Sequence, residues 1–351
     1  SIQKELGAKP WYTLNGQSAI RKITGLGPIL YRLGYWKKYE QQLDKLIALV
    51  TDKYPHPLIF IPNILWYNIL PIVRSLKKTN IPVALLYRIS IYDNIKVPGL
   101  FKPLIRPLIK YAVEKVKRKS NVHFFSDSAI IAGEWQDYFN CPMHVLPIPH
   151  LLPNRKERLP AAGEKIRFYL PGGMRLEKGA ALLTEALELL HKTQPELLQK
   201  ITLITQFTNN DSKLALFKKR LAALPIDNTF LGELSTEAYN EQLKRADVIL
   251  IPYQVNEGYR ARTSGILAEA IASCKPFITT NGTWMSDQAL KFHTGMIAED
   301  RKPETLAAAI SDLINTYPEH AARAQKAADL WMQAHDLSVF YTELSKAASL
   351  K

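Results

Sequence analysis

Residues 249–278, ILIPYQVNEGYRARTSGILAEAIASCKPFI, carry the clearest structural signal in the chain. Val248 to Ile251 form a short apolar run, the pattern of a strand buried on both faces, and Pro252 ends it. A polar loop follows, with Gly258 and the charged residues Glu257, Arg260 and Arg262. From Thr263-Ser264-Gly265 the spacing turns helical. Ile266, Leu267, Ala270 and Ile271 make one apolar stripe, and Ser264 or Thr263 supplies an N-cap. Pro276 stops the helix, and Phe277-Ile278-Thr279-Thr280 reads as the next strand. Strand, helix, strand is a βαβ unit, whose ligands gather at the carboxyl ends of strands. The helix start offers unpaired N–H groups and a positive dipole end to an anion. Glu269, about a turn and a half further on, stands within reach of sugar hydroxyls beside that anion. An anion and a sugar side by side suit a nucleotide.

The same alternation fills the chain on either side. Ile166–Leu170, Ile201–Thr205 and Thr229–Gly232 read as strands, with helices over Ala180–His191, Asp211–Ala223 and Thr236–Arg245. An earlier block is built alike. Its strands are Leu58–Ile61, Pro82–Tyr87, Val122–Ser126 and Met143–Ile148, and its helices Leu65–Lys78 and Ser128–Phe139. Residues 153–164 (PNRKERLPAAGE) are polar and carry prolines and a glycine, so the linker falls there. The expected fold class is α/β, two Rossmann-like doubly wound domains facing a cleft and not a barrel. The expected domains are 1–155, 156–330 and a terminal helix within 331–351, anchored by Trp331 and Phe340. Residues 303–351 read as helical throughout. Lys37–Lys53 also reads as a helix, with Gly25, Gly27, Pro28 and Gly34 breaking the pattern before it.

At 351 residues, 47% hydrophobic and 22% charged, the chain has the composition of a soluble globular protein with room for two domains. Cys141 and Cys274 fit neither a disulfide framework nor a metal site, which points to a reducing compartment. No run of 18 apolar residues occurs, and the polar opening is not that of a secretory signal. The net charge of +14 is unevenly divided: residues 1–160 hold 24 Lys and Arg against 10 Asp and Glu, the remainder 22 against 22. A basic half attracts nucleic acid, anionic lipid or an acidic acceptor. Residues 20–39 interleave basic and aromatic side chains. Residues 96–119 carry eight Lys and Arg and one acid, Glu114, among regularly spaced Leu, Ile and Phe. Both stretches suit an anionic membrane surface, though a basic helix merely covering the sheet gives the same pattern. No nucleic-acid motif is present, so nucleic acid is not an expected partner.

The loop PGGMRLEKG, Pro171–Gly179, joins the first strand of the second block to its helix. Gly172 and Gly173 let backbone approach a ligand, and Arg175 and Lys178 supply the charge that a diphosphate needs. It is neither a Walker A loop nor a GxGxxG fingerprint. Alone, it is more simply a tight turn with two surface cations. Together with Ser264, Gly265 and Glu269 at another strand end it becomes a binding site. A further strand-end loop, Tyr87–Asp93, offers Asp93.

Three segments, GGMRLEKG, FLGELSTEAYNEQLKRADVILIPY and SGILAEAIASCKPFITT, resemble the donor domain of retaining glycosyltransferases with the two-Rossmann GT-B fold. These are the group 1 transferases, the large family that includes bacterial lipid and polysaccharide mannosyl- and glucosyltransferases. The resemblance spans about residues 165–330 and is looser at VHFFSDSAIIAGEW and HVLPIPHLLPN. It implies that Arg175 and Lys178 bind the donor diphosphate, that the Ser264 and Gly265 amides face phosphate, and that Glu269 holds the ribose. The first Glu of the family's Glu, seven residues, Glu motif would fall at Ala261, with Glu257 or Arg260 as nearby substitutes. The family's His-Asp pair is Tyr92-Asp93 here. His123 and His150 are candidate cleft residues whose commoner role is structural. The family's first strand and glycine-rich loop are not evident before residue 58, so either this half is divergent or residues precede Ser1.

The resemblance implies sugar transfer from a UDP or GDP sugar to a hydroxyl of a lipid-linked or anionic glycan. By the resemblance configuration is retained; no paired Asp or DxD-type cluster suggests a metal site, so no metal and no further cofactor are expected, and the basic first half suits the inner face of the cytoplasmic membrane. Asp93, Glu257 and Arg260 are the candidates for a catalytic role, and none is a convincing nucleophile. A nucleotide-sugar epimerase of the same fold, and a non-catalytic nucleotide- or membrane-binding domain, are the alternatives.

Overall fold

Short apolar runs become parallel strands, of which Val83–Tyr87, Val248–Ile251 and Phe277–Thr280 are buried along their whole length. A computed structural model describes residues 27–65, 68–94, 102–149, 160–161, 163–208 and 212–349, the side chains of 27–33, 93–94, 102–106, 257 and 347–349 excepted. Contacts divide the chain into two units, one of Ser1–Leu146 with Tyr341–Lys351, the other of Pro147–Phe340. The division precedes the polar stretch 153–164, most of which lies outside the described residues.

The first unit holds β1 (Ile59–Ile61), β2 (Val83–Tyr87), β3 (Val122–Ser126) and β4 (His144–Val145), paired in that order and all parallel. Among the described residues this sheet shows no reversal of strand order. Its core is aromatic. Tyr87, Phe124, Trp135 and Phe139 pack together, with Tyr87 and Trp135 ring centroids 4.7 Å apart, and Trp135 Nε1 donates to the Ile89 carbonyl at 3.0 Å. The expected helix from Lys37 in fact begins at Gly27 and runs to Lys53. Pro28 sits in its first turn, where the missing N–H has no partner to lose. Gly34, with open space where a Cβ would stand, costs at most about 1 kcal/mol of helix propensity. The basic stretch contributes a helix over Lys102–Glu114 that runs through Pro107. Residues 96–101 lie outside the described part.

The second unit holds β5 (Ile166–Leu170), β6 (Ile201–Gln206), β7 (Asp227–Leu231), β8 (Val248–Ile251), β9 (Phe277–Thr280) and β10 (Met296–Ala298). Their order is β10-β9-β8-β5-β6-β7, all parallel. Alternation sets the two faces. Phe168, Leu170, Leu203, Leu250 and Ile278 meet Leu183, Leu187, Ile310 and Leu313 on one side. Tyr169, Ile249, Ile251 and Phe277 meet Leu267, Ile271, Met285 and Trp331 on the other. Order reverses at β5, which pairs with β6 on one edge and β8 on the other, in register Phe168 with Val248 and Tyr169 with Ile249. This is the topological switch point, and the crevice lies where β5 and β8 end.

The C-terminal region is three helices, Pro303–Asn315, Tyr317–Ala334 and Leu337–Ser349, rather than helix throughout. Trp331 is buried in the middle one, and Asp336 closes the break after it by accepting from Ser338 N–H at 2.8 Å. Among the described residues no helix is long and apolar enough to cross a membrane.

Candidate functional site

The loop leaving β5 is held in place by backbone. Met174 N–H donates to the Gln206 carbonyl at 2.6 Å, tying the loop to the end of β6, and residues Leu176–Lys178 make one 3₁₀ turn before the helix Ala180–Thr193. Two of its glycines serve packing. A Cβ on Gly173 would stand 2.2 Å from Thr208 Oγ1, and one on Gly179, where φ is +86°, 2.0 Å from the Pro252 carbonyl oxygen. The loops after β6 and β8 therefore close onto this turn because it lacks side chains there. Gly172 differs. A Cβ on it would lie 2.8 Å from Lys178 Nζ and 3.7 Å from Ile266 Cδ1. The glycine backbone, the ammonium and the first turn of the helix Gly265–Ala272 thus converge.

Lys178 is only 7% exposed, and its ammonium has no hydrogen bond or ion pair with any described residue. The ring of Tyr253 lies 5.6 Å from it. Burial first, and then the Arg175 charge, push its pKa down to about 8, against a smaller opposing effect of Glu177. A buried cation without a carboxylate is costly, and an anionic ligand removes that cost. Arg175 is better supported: Nε pairs with Glu177 Oε1 at 3.2 Å and Nη2 donates to Tyr259 Oη at 3.3 Å.

Ser264 caps the next helix as its spacing implies, its Oγ accepting from Leu267 N–H at 3.2 Å. The N–H groups of Gly265 and Ile266 have no partner among the described residues, and Gly265 is exposed. Five residues along, Glu269 is half-buried and its Oε2 accepts from Tyr239 Oη at 2.5 Å. Burial raises its carboxyl pKa above the ordinary value, and the Tyr239 hydrogen bond partly offsets that.

The segment read as a polar loop contains a short helix, Glu257–Ala261, whose start is fixed by Asn256 Oδ1 accepting from Tyr259 N–H at 2.9 Å. The reason is local: Asn is a strong N-cap, here masked by the glycine two residues on. The methyl of Ala261 is fully buried, so no charged group stands at the motif position. Arg260 is exposed on this helix; the Glu257 side chain lies outside the described part. Two tyrosines missed by the sequence reading line the turn. Tyr253 and Tyr259 have ring centroids 4.8 Å apart, and the Arg262 guanidinium lies 5.6 Å over the Tyr259 ring. Their only sequence signal was an aromatic pair flanking a strand-end loop rich in Arg.

In the first unit, Asp93 falls in a four-residue helix, Ile91–Asn94, directly after the loop that follows β2, with its side chain outside the described part. His123 is half-buried on β3, and His150 is not described. The ends of β2 and β3 carry two ion-paired or hydrogen-bonded carboxylates: Arg88 Nε to Asp127 Oδ2 at 2.8 Å, and Ser90 Oγ donating to Glu134 Oε2 at 2.5 Å. Among the described residues no three His, Cys, Asp or Glu side chains gather as a metal-ion group.

A six-stranded parallel sheet with its switch point at β5, together with a second parallel α/β unit, is the GT-B fold. The chain belongs to the group 1 glycosyl transferases, whose family model matches residues 153–331. Solved structures of the same fold include the trehalose-6-phosphate synthase OtsA, at 13% identity and a TM-score of 0.61 over 90% of this chain and 77% of that one. The Escherichia coli trehalose-6-phosphate structure with UDP-2-fluoro glucose has 13% identity and a TM-score of 0.62 over 90% and 78%. Anabaena HepE in complex with UDP-glucose has 14% identity and a TM-score of 0.60 over 88% and 82%. No curated protein matches the chain by sequence. The chain is accordingly a glycosyltransferase that takes its sugar from a nucleotide sugar.

Proposed function

We propose that the protein transfers a hexose from a UDP or GDP sugar to a hydroxyl of a lipid-linked or anionic glycan, with retention of configuration and without a metal. The observation that carries this is Lys178: a buried ammonium with no acid partner, against the Gly172 backbone and the first turn of the helix Gly265–Ala272. Negative charge grows on the diphosphate as the glycosidic bond breaks. Lys178, Arg175 and the unpaired N–H groups of Gly265 and Ile266 are the groups to meet it, with the favourable end of the helix dipole behind them. Glu269 is assigned to the ribose. Retention is what membership of the family implies, and no side chain is assigned as a nucleophile. Asp93, Glu257 and Arg260 stay as candidates for the remaining catalytic role. The first unit, which carries the excess of basic residues, is assigned to the acceptor.

UDP or GDP binding to the native state raises the melting temperature by mass action. A shift with one of the two, insensitive to EDTA, supports the reading and names the base. No shift with either at millimolar concentration sinks it. Chromatography of the products separates transfer from epimerisation, which releases free sugar with no acceptor present.

The same reading sets the protein on the inner face of the cytoplasmic membrane. On the helix Lys102–Glu114, Leu108 and Tyr111 are exposed beside Lys110, with Lys115 4.6 Å over the Tyr111 ring just beyond the helix. Apolar and basic side chains sharing one exposed surface suit an anionic bilayer. Co-sedimentation with phosphatidylglycerol vesicles, lost in Leu108→Asp/Tyr111→Asp, is the outcome this requires. Equal recovery with phosphatidylcholine vesicles removes the role of the basic surface, and no recovery with either lipid removes the membrane role; both leave the transferase reading intact.

A further inference from the structure

Glu269 has an environment that its assignment to ribose does not explain. It projects half-buried from the helix Gly265–Ala272, and only one carboxylate oxygen, Oε2, has a partner among the described residues. That partner, Tyr239, comes from a separate element, the helix Thr236–Arg245. The start of that helix is fixed by Ser235 Oγ accepting from Ala238 N–H at 3.2 Å. A second tyrosine, Tyr169 on β5, is fully buried, and its hydroxyl has no hydrogen-bond partner among the described residues. Burial first, and then the Glu269 charge, raise the Tyr169 pKa to about 12, and burial followed by the Glu269 hydrogen bond and charge raises that of Tyr239 as well. Both remain neutral O–H donors at any physiological pH. Packing alone does not call for these hydroxyls, since phenylalanine fills the same space without a polar group to satisfy.

We propose that Tyr239 is a positioning residue for the donor nucleotide: by donating its hydroxyl to Oε2, it fixes the Glu269 carboxylate in one rotamer and leaves Oε1 to accept a 2′- or 3′-hydroxyl of ribose. An unrestrained glutamate loses rotamer freedom on every binding event; here the loss is taken up in folding. The site is thereby selective for ribonucleotide donors over deoxyribonucleotide ones. This inference rests on the donor-site reading above.

The test is titration of wild type, Tyr239→Phe, Glu269→Ala and the double variant with UDP, GDP and their 2′,3′-dideoxy counterparts. Wild type binds the preferred ribonucleotide at least tenfold more tightly than its dideoxy form, as a charge-assisted hydrogen bond requires. Tyr239→Phe weakens the ribonucleotide by about tenfold and leaves the dideoxy form unchanged. The double variant is no weaker than Glu269→Ala, since both act through one contact. In turnover, donor KM rises by about the same factor while kcat stays within about threefold. Binding of the dideoxy form at wild-type strength reports that Tyr239→Phe is folded, so a loss confined to the ribonucleotide is not a folding defect. An unchanged ribose preference in Tyr239→Phe, or equal weakening of both nucleotides, overturns the inference and leaves the donor site standing. Failure of wild type to bind either ribonucleotide overturns the donor site and this inference with it.

Discussion

Arg175→Ala/Lys178→Ala lowers donor kcat/KM by about a thousandfold or more, because both groups act most strongly on charge that exists only in the transition state. Removing one donor aimed at developing negative charge costs about 3 to 4 kcal/mol in well-studied enzymes. Two neighbouring cations on one diphosphate are not additive, so the pair is worth less than twice that figure. The loss is catalytic rather than structural. The Arg175 ion pair with Glu177 is nearly half exposed and contributes little to folding. Lys178 has no hydrogen bond or ion pair with any described residue to abandon. Initial rates at saturating acceptor, with circular dichroism as a check on folding, measure it. A loss below tenfold would mean that the diphosphate is held elsewhere.

Lys178 also makes donor binding depend on pH. Its pKa in the free protein is about 8, below the ordinary lysine value of 10.5. A bound diphosphate favours the charged form and pulls that pKa upward. From about pH 8 upward, binding therefore takes up a proton, and the dissociation constant for UDP or GDP rises up to tenfold per pH unit. Lys178→Arg stays charged and shows no bend there. Calorimetric titration from pH 6.5 to 10 reads both, and identical profiles for the two proteins would exclude Lys178 as the titrating group.

The same shift fixes the sign for stability. The folded state penalises the charged ammonium, so the unfolded chain binds more protons between pH 8 and 10.5. The penalty is fully present below pH 8, and stability from this group rises across that window. Lys178→Met removes a penalty on the order of 1 to 3 kcal/mol at neutral pH. Its melting temperature without ligand rises by several degrees, while the nucleotide-induced shift disappears. Such an exchange of stability for function is expected of a binding cation held in place before its ligand arrives.

Much of this was legible in residue order. Ile166–Leu170, Val248–Ile251 and Phe277–Thr280 are apolar runs cut by Pro and Gly, and Ser264 lies one residue before a helical stripe. These signals act over a few residues, so most strands and caps could be read within a residue or two, while the strand expected to Ile148 ends at Val145 and the helix expected from Leu65 begins at Ile69. Where the reading slipped, a short-range signal was outweighed. Gly34 did not interrupt the helix Gly27–Lys53, and Asn256 began a helix inside an apparent loop. The break at His335–Asp336 divided what looked like one continuous terminal helix.

The βα rhythm and the α/β class were thus legible in the order of amino acids, which also named the anion-binding candidates, because periodicity and capping depend on near neighbours. Strand order was not, since β5 pairs with β8 across almost eighty intervening residues, and pairing at that range is a property of the packed chain. Nor were the site's working contacts. Arg175 meets Tyr259 at a separation of 84 residues, and Glu269 meets Tyr239 at 30. Neither residue type nor spacing announces such partners. That Lys178 has no ion-paired acid among the described residues is likewise a fact of three dimensions: Glu177 is its neighbour in sequence, yet its carboxylate turns to Arg175.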